Sequence, residues 1–191
     1  MSAKPTSAED LVTADEFMSL LEPESGGRME LVAGRVLVEM PVGRRHARTA
    51  ARLARKLGEF VDDNRLGEVH VEVGTVTRRQ PDSVRAPDVS FVEASRLETM
   101  PQDGYLIGPP DLAIEVMSPE DRESDVSRKV EEYLDAGVRR VWIVRPRNMT
   151  VTVHRPGGDA HTYSGPVALT SDDAGFAVDG LRIELATLFA E

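Results

Sequence analysis

Apolar positions change their spacing several times along the chain, and each change predicts an element. Thr13-Ala14-Asp15-Glu16 is a capping-box pattern, with Phe17, Leu20 and Leu21 following at helical spacing. Pro23 and Gly26-Gly27 end that helix. "MELVAGRVLVEM" (29–40) alternates around Ala33-Gly34, as a β-hairpin does. Over 43–63 the period becomes three and four. Ala50, Leu53, Leu57, Phe60 and Val61 mark the buried stripe of a helix, and Arg45, Arg48, Arg52 and Arg55 repeat on another face. Period two returns after Gly67 with Val69, Val71, Val73 and Val76, and again in "APDVSFVEA" (86–94). A Gly/Pro-rich loop over 101–110 leads to a strand at 112–117, stopped by Ser118-Pro119.

A helix over about 123–136 shows Val126, Val130, Tyr133 and Leu134 on one face and closes at Gly137. "RRVWIVRP" (139–146) reads as a central strand and "MTVTVHRPGG" (149–158) as a thinner one. The region from Tyr163 onward is polar, with one short strand near 181–185 and a final Leu188-Phe189 contact. Strand, helix and strand between 111 and 145 predict a crossover and a partly parallel pair. The expected fold class is therefore α/β (α+β), a central mixed sheet flanked by helices. No repeat or linker is visible, so 1–12 is expected to be a loose tail and 13–191 a single domain.

Composition narrows the function classes. The chain has 191 residues, 40% apolar and 29% charged, as globular domains do. The first ten residues have no apolar core, so no signal peptide is expected, and no apolar run approaches the roughly 20 residues of a membrane span. The absence of cysteine excludes disulfides and thiolate metal sites and suits a reducing cytoplasm. A net charge of −10 argues against non-specific binding to polyanions. The helix at 43–63 carries a local basic excess against that balance. Arg45, Arg48 and Arg52 are candidates to hold a phosphate backbone, or are simply a solvated face.

Glu115 lies between Ile114 and Val116 in an otherwise apolar strand, where a lone carboxylate needs a partner. Strand geometry puts Asp111 about 13 Å from it at ~3.3 Å per residue. Ligands of one ion sit at roughly 2.0–2.6 Å from it, so these two acids cannot share a metal. Asp88, opening another strand, is the better partner. Lys129 lies at the border of the apolar face of the following helix, able to snorkel outward or reach inward. Two acids, a hard divalent metal and a lysine suit phosphodiester hydrolysis. The plainer alternatives are an ion pair of Glu115 with Arg140 or Lys129, a capping role for Asp88, and a solvated Lys129. Asp111, Glu120, Asp121, Glu123 and Asp125 would repel a polyanion if they stand near the site.

These residues carry a resemblance. "MELVAGRV", His46 opening a helix, "APDVSFV" and "PDLAIEVMSPEDRESDVSRKVEEYLDAGVRRVWIV" resemble the Uma2 family, also called DUF820, from about Thr13 to Pro146 and more loosely to the end. The resemblance implies a nuclease of restriction-endonuclease-like, PD-(D/E)XK fold. Asp88 matches the motif aspartate and Glu115 the acid of the (D/E)XK element. Where that element has lysine this chain has Met117, and Lys129 matches the lysine displaced to the next helix. Glu30 is similar to an additional acid near the metal, and His46 matches a further polar position of the pattern. The expectation is a Mg²⁺- or Mn²⁺-dependent endonuclease acting on DNA, with Asp88, Glu115 and the Val116 carbonyl as ligands and Lys129 stabilising charge or moving a proton. A homodimer is expected. The alternative is an inactive binding or regulatory module on the same fold.

Overall fold

A computed structural model of the protein describes residues 11–20, 27–100 and 102–191. Most of the expected tail, the helix-stopping Pro23 and Gly26, and Pro101 lie outside the described residues. In chain order the elements are α1 (Ala14–Met18), β1 (Arg28–Val32), β2 (Arg35–Glu39), α2 (Arg44–Asn64), β3 (Gly67–His70), β4 (Thr75–Arg78), β5 (Ser83–Arg85), β6 (Val89–Glu93) and α3 (Ala94–Leu97). Then come β7 (Leu112–Val116), α4 (Glu123–Ala136), β8 (Arg140–Arg145), β9 (Thr150–His154), β10 (Ala160–Ser164), β11 (Ala168–Thr170), α5 (Ser171–Ala174), β12 (Arg182–Glu184) and α6 (Leu185–Leu188).

The main sheet has six strands in the order β10-β9-β8-β7-β6-β3, and a second has four in the order β2-β1-β5-β4. In the main sheet only β7 and β8 are parallel, and α4 is the crossover between them. The fold is the expected mixed sheet flanked by helices. The hairpin is also as read: Val32 pairs Arg35 across Ala33 and Gly34, which sit at φ 49° and 76°. Both signs are positive, as a two-residue type I′ turn requires.

The central strands of the main sheet, β7 and β8, are buried on both faces. Leu112, Ile114 and Val116 of β7 join Leu53, Leu57 and Val61 of α2 and the C-terminal Leu169, Ile183 and Leu185 in one core. Ala113, on the opposite face, packs with Val126, Val130 and Tyr133 of α4. Each fully buried aliphatic side chain there contributes about 1.5–3 kcal/mol. The four-stranded sheet packs Leu31, Val76 and Val84 against Ala14 and Phe17 of α1.

The structure adds to the sequence reading in several regions. The alternation of Val69 to Val76 is carried by two strands in different sheets. Glu72 breaks the run at φ 54°, and Val71 is left 56% exposed. The three-residue β5 was not expected, and neither were β10 and β11. They are short or polar, so periodicity does not reveal them.

Helix α4 sits between the two sheets. Its apolar stripe faces the main sheet, and its polar border meets the smaller one. Glu132 accepts from Thr77 of β4 and from Arg85 of β5, while Lys129 reaches Glu30 of β1 and Glu39 of β2. Lys129 is thus roofed by a second sheet.

Candidate active site

The register of β6 against β7 pairs Val89 with Ile114, and one residue further it carries Asp88 opposite Glu115. The backbone agrees: the Val116 N–H donates to Asp88 Oδ2 at 2.7 Å. Asp88 and Glu115 are both buried. Their side-chain partners come from three other elements, β1, α2 and α4.

Glu115 accepts from the Tyr133 hydroxyl at 2.7 Å and lies 3.4 Å from Lys129 Nζ. The same ammonium stands 3.3 Å from Glu30 and 3.0 Å from Glu39. Lys129 therefore turns inward, and one cation is shared among three carboxylates. Arg85 holds Glu30 from the other side at 2.7 Å, and the Ala86 N–H donates to it. Arg28 bridges Glu39 at 2.5 Å and Asp88 at 3.2 Å. His46, buried in the first turn of α2, places Nδ1 3.3 Å from the Ser118 hydroxyl and Nε2 3.2 Å from Asp88. That last approach does not have the geometry of a hydrogen bond.

The site gathers Glu30, Glu39, Asp88, Glu115 and Glu132 around Arg28, Arg85 and Lys129, an excess of acid. Burial pushes the Glu115 carboxyl up to about 7. Lys129 opposes that shift, while Asp88 and Glu30 add to it. Burial disfavours the charged form of Lys129, but Glu115, Glu30 and Glu39 outweigh it and raise the ammonium above its ordinary value. Burial would also raise Asp88, yet His46, Arg28 and the Val116 N–H hold it below the usual range. Glu39 is held down to about 2: burial would raise it, and Lys129 and Arg28 prevail. Under-compensated Glu115 is the group with most to gain from another cation.

Hard carboxylate oxygens are what Mg²⁺ or Mn²⁺ takes, often with a backbone carbonyl. Among the described residues no three acidic or histidine side chains form a ready-made cage for an ion. Asp88 and Glu115 offer a two-carboxylate set in a negatively charged setting, which fits such an ion. At present each of their oxygens faces a protein donor.

The sequence-derived residues Asp88, Glu115, Lys129, Glu30 and His46 all meet here. The alternative pairing of Glu115 with Arg140 does not occur, because Arg140 turns to the Asp172 carbonyl. Asp111 stays at the far end of β7, bound to Arg96 and Arg139. Three of the nearby acids are also engaged: Asp121 by the Ser118 N–H, Glu123 by Arg145 and Asp125 by Arg128. Arg52 is occupied too, donating to the Leu188 carbonyl at 3.0 Å, whereas Arg45 and Arg48 line an open cavity. Sequence reasoning did not find Arg28, Glu39 or Tyr133 as site residues. A signal existed for the first two, since the turn at 33–34 pairs Arg28 with Glu39 across the hairpin.

Among the described residues no helix is long and apolar enough to cross a membrane. A family model for Uma2, described as "Putative restriction endonuclease", matches residues 14–186. The fold is similar to the crystal structure of a "putative nuclease belonging to DUF820" from Anabaena variabilis, with a TM-score of 0.76 and 24% identity over 94% of this chain and 98% of that one. A comparison with curated proteins finds no match.

Proposed function

The chain belongs to the Uma2 family, and from that premise we propose that it is a Mg²⁺- or Mn²⁺-dependent nuclease hydrolysing phosphodiester bonds in DNA. The observation that carries this reading is Lys129. Its ammonium points from α4 into the carboxylates beside Asp88, and the family resemblance assigns it the role of the lysine that this chain lacks at Met117.

In this reading Asp88 and Glu115 hold the divalent cation together with the Val116 carbonyl. When bound, the ion supplies Lewis-acid polarisation of the phosphate and a water ionised near neutral pH. The carboxylates around Lys129 favour its charged form, so it serves to offset the negative charge that builds on the phosphoryl oxygens. The Tyr133 hydroxyl orients Glu115, and Glu30 and Glu39 aim Lys129. Arg28 and His46 position Asp88, and Arg28 must share that carboxylate with an incoming cation. Residues 13–191 act as one domain, and two copies would supply the two sites needed to cut both strands of a duplex.

The test uses supercoiled plasmid and single-stranded DNA with Mg²⁺ or Mn²⁺, comparing the wild type with Asp88→Ala and Glu115→Ala. Metal-dependent nicking by the wild type, lost in both variants, is expected. Cleavage that persists in both would refute the site. A second reading, a non-catalytic binding module, is favoured by the pairing of every Asp88 and Glu115 oxygen with a protein donor. Absence of cleavage together with absence of metal binding by calorimetry would select it.

A further inference from the structure

Three arginines outside this site are arranged around a void. Arg45 and Arg48, from the first two turns of α2, and Arg147, from the turn after β8, line an open cavity of about 220 Å³ together with Thr49 and Phe189. Among the described residues none of the three makes an ion pair, and Arg48 Nε is buried with no hydrogen-bond partner. Their neighbours differ: Arg52 is tied to the Leu188 carbonyl, Arg55 to Glu59 and Arg145 to Glu123. Glu191 also lines the cavity and leaves the three arginines unpaired among the described residues. Three guanidinium groups without an acidic partner among the described residues, two of them exposed and one with a buried Nε, stand around one cavity, and an anion with several oxygens offsets their mutual repulsion through paired N–H donors. The start of α2 adds to the field, with no acid in its first turn and no side-chain cap at Gly43.

The cavity stands on the same edge of the sheet as the carboxylates. Val116 of β7 pairs with Val144 of β8, so Pro146 and Arg147 run alongside Ser118, about one strand spacing (~5 Å) from the end of β7. His46, between Arg45 and Arg48 on α2, touches both Ser118 and Asp88. Of the acids on the other side of Arg147, Glu123 is paired with Arg145, while Asp121 accepts the Ser118 N–H.

We propose that Arg45, Arg48 and Arg147 form a phosphate subsite, holding a phosphate of the nucleic-acid strand that neighbours the one at Asp88 and Glu115. The strand's course rests on the nuclease reading above. The subsite itself rests on the unpaired arginines. Arg147 replaces Arg52 in the basic surface expected from the helical repeat, since Arg52 holds the C-terminal segment.

Binding measured without cleavage separates the two readings. Fluorescence anisotropy of a labelled single-stranded oligonucleotide in EDTA compares the wild type with Arg147→Gln, Arg48→Gln and Arg182→Gln, the last an exposed arginine paired with Glu184. Arg147→Gln and Arg48→Gln should each weaken binding several-fold and lower the slope of log K against log [salt] by about 0.7, the contribution of one single-strand phosphate contact. Arg182→Gln should leave both unchanged. Oligonucleotides with and without a 5′-phosphate identify the source. A loss confined to the phosphorylated form assigns a strand end, and a loss in both assigns an internal phosphodiester. No oligonucleotide binding by the wild type, or equal losses in all three variants, would overturn the subsite. Arg147 is exposed, so its variant keeps the fold even if Arg48→Gln does not. An Asp88→Ala protein that binds but does not cut would leave the subsite standing whatever becomes of the catalytic assignment.

Discussion

The two ends of β7 carry carboxylates that are equally hidden, each 7% exposed, yet they meet opposite surroundings. Asp111 accepts from the Glu93 N–H at 2.8 Å and faces Arg96 at 3.1 Å and Arg139 Nε at 3.0 Å. Both arginines reach it from partly solvated positions, and the bonds tie the starts of β7 and β8 to the end of β6. Glu115 has a tyrosine hydroxyl and a third share in one lysine. Burial alone therefore does not separate the two acids; the local ratio of cations to acids does. Where cations suffice, a buried acid fastens strands together. Where they fall short, as at Glu115, the fold holds an energetic deficit that a bound cation can relieve.

The sharpest way to break this contrast is to neutralise each acid without changing its shape. Glu115→Gln is expected to lower plasmid cleavage on the order of 10³-fold, about 4 kcal/mol of barrier. Asp111→Asn should leave the rate essentially unchanged. If Asp111→Asn abolishes cleavage while its melting temperature holds, the division of labour between the two ends is wrong.

Next in size is the lysine. Lys129→Met keeps the length of the side chain and removes the charge that Glu30, Glu39 and Glu115 share. Unfolding in urea at pH 8 should show a loss of about 3 kcal/mol, since the carboxylates left behind are buried. Cleavage should fall with it, and Lys129→Arg should restore more stability than activity, because a guanidinium does not fit a site shaped for a point charge. A stability unchanged from the wild type in Lys129→Met would mean that the inward ammonium contributes nothing to the fold.

How far these roles were legible depends on how far each residue is placed by local geometry. Asp88 and Glu115 could be paired from the strand period and the excluded distance to Asp111, with no knowledge of the rest of the fold. Lys129 was visible only as a border residue, because the wheel places a side chain on a face but not under a second sheet. That roof is made by β1, β2, β4 and β5. The break at Glu72 and the three residues of β5 hide it from any periodicity. Arg28 and Glu39 show the intermediate case. Their mutual pairing is implied by the turn at 33–34, but their approach to Asp88 and Lys129 depends on how the hairpin packs. Arg147 sits in a turn with no pattern around it, and proximity to Arg45 and Arg48 is a purely tertiary fact.

At the structural end of β7 the expected effect is smaller and purely thermodynamic. Asp111→Asn removes charge-assisted bonds to Arg96 and Arg139 and keeps one acceptor for the Glu93 N–H. The cost should be about 2 kcal/mol, less than that of Lys129→Met, because both arginines can turn to water. Arg139→Gln should cost less again, being half exposed and leaving Arg96 in place. Chemical denaturation of the pair and of the double variant measures the coupling. Additive losses would show that Arg139 and Asp111 do not act together.

The last effect is the most specific to Glu115. Its carboxyl is raised from 4.5 to about 7 in the folded protein, so the folded chain binds the extra proton. Glu115's contribution to stability is fully present below about pH 4.5 and is lost as pH rises through about 7. Glu115→Gln should remove that decline, so the variant gains on the wild type across this window. A divalent cation competes with the same proton. Its affinity should therefore fall up to tenfold per pH unit below about 7, about 1.4 kcal/mol per unit in the stabilisation it confers. Melting temperatures with and without Mn²⁺ at pH 6 and pH 8 read this directly: a larger shift is expected at pH 8 in the wild type, and little shift at either pH in Glu115→Gln. An Mn²⁺ shift equal at both pH values would place the cation away from Glu115, and the shortage of positive charge at this end of β7 would then need another explanation.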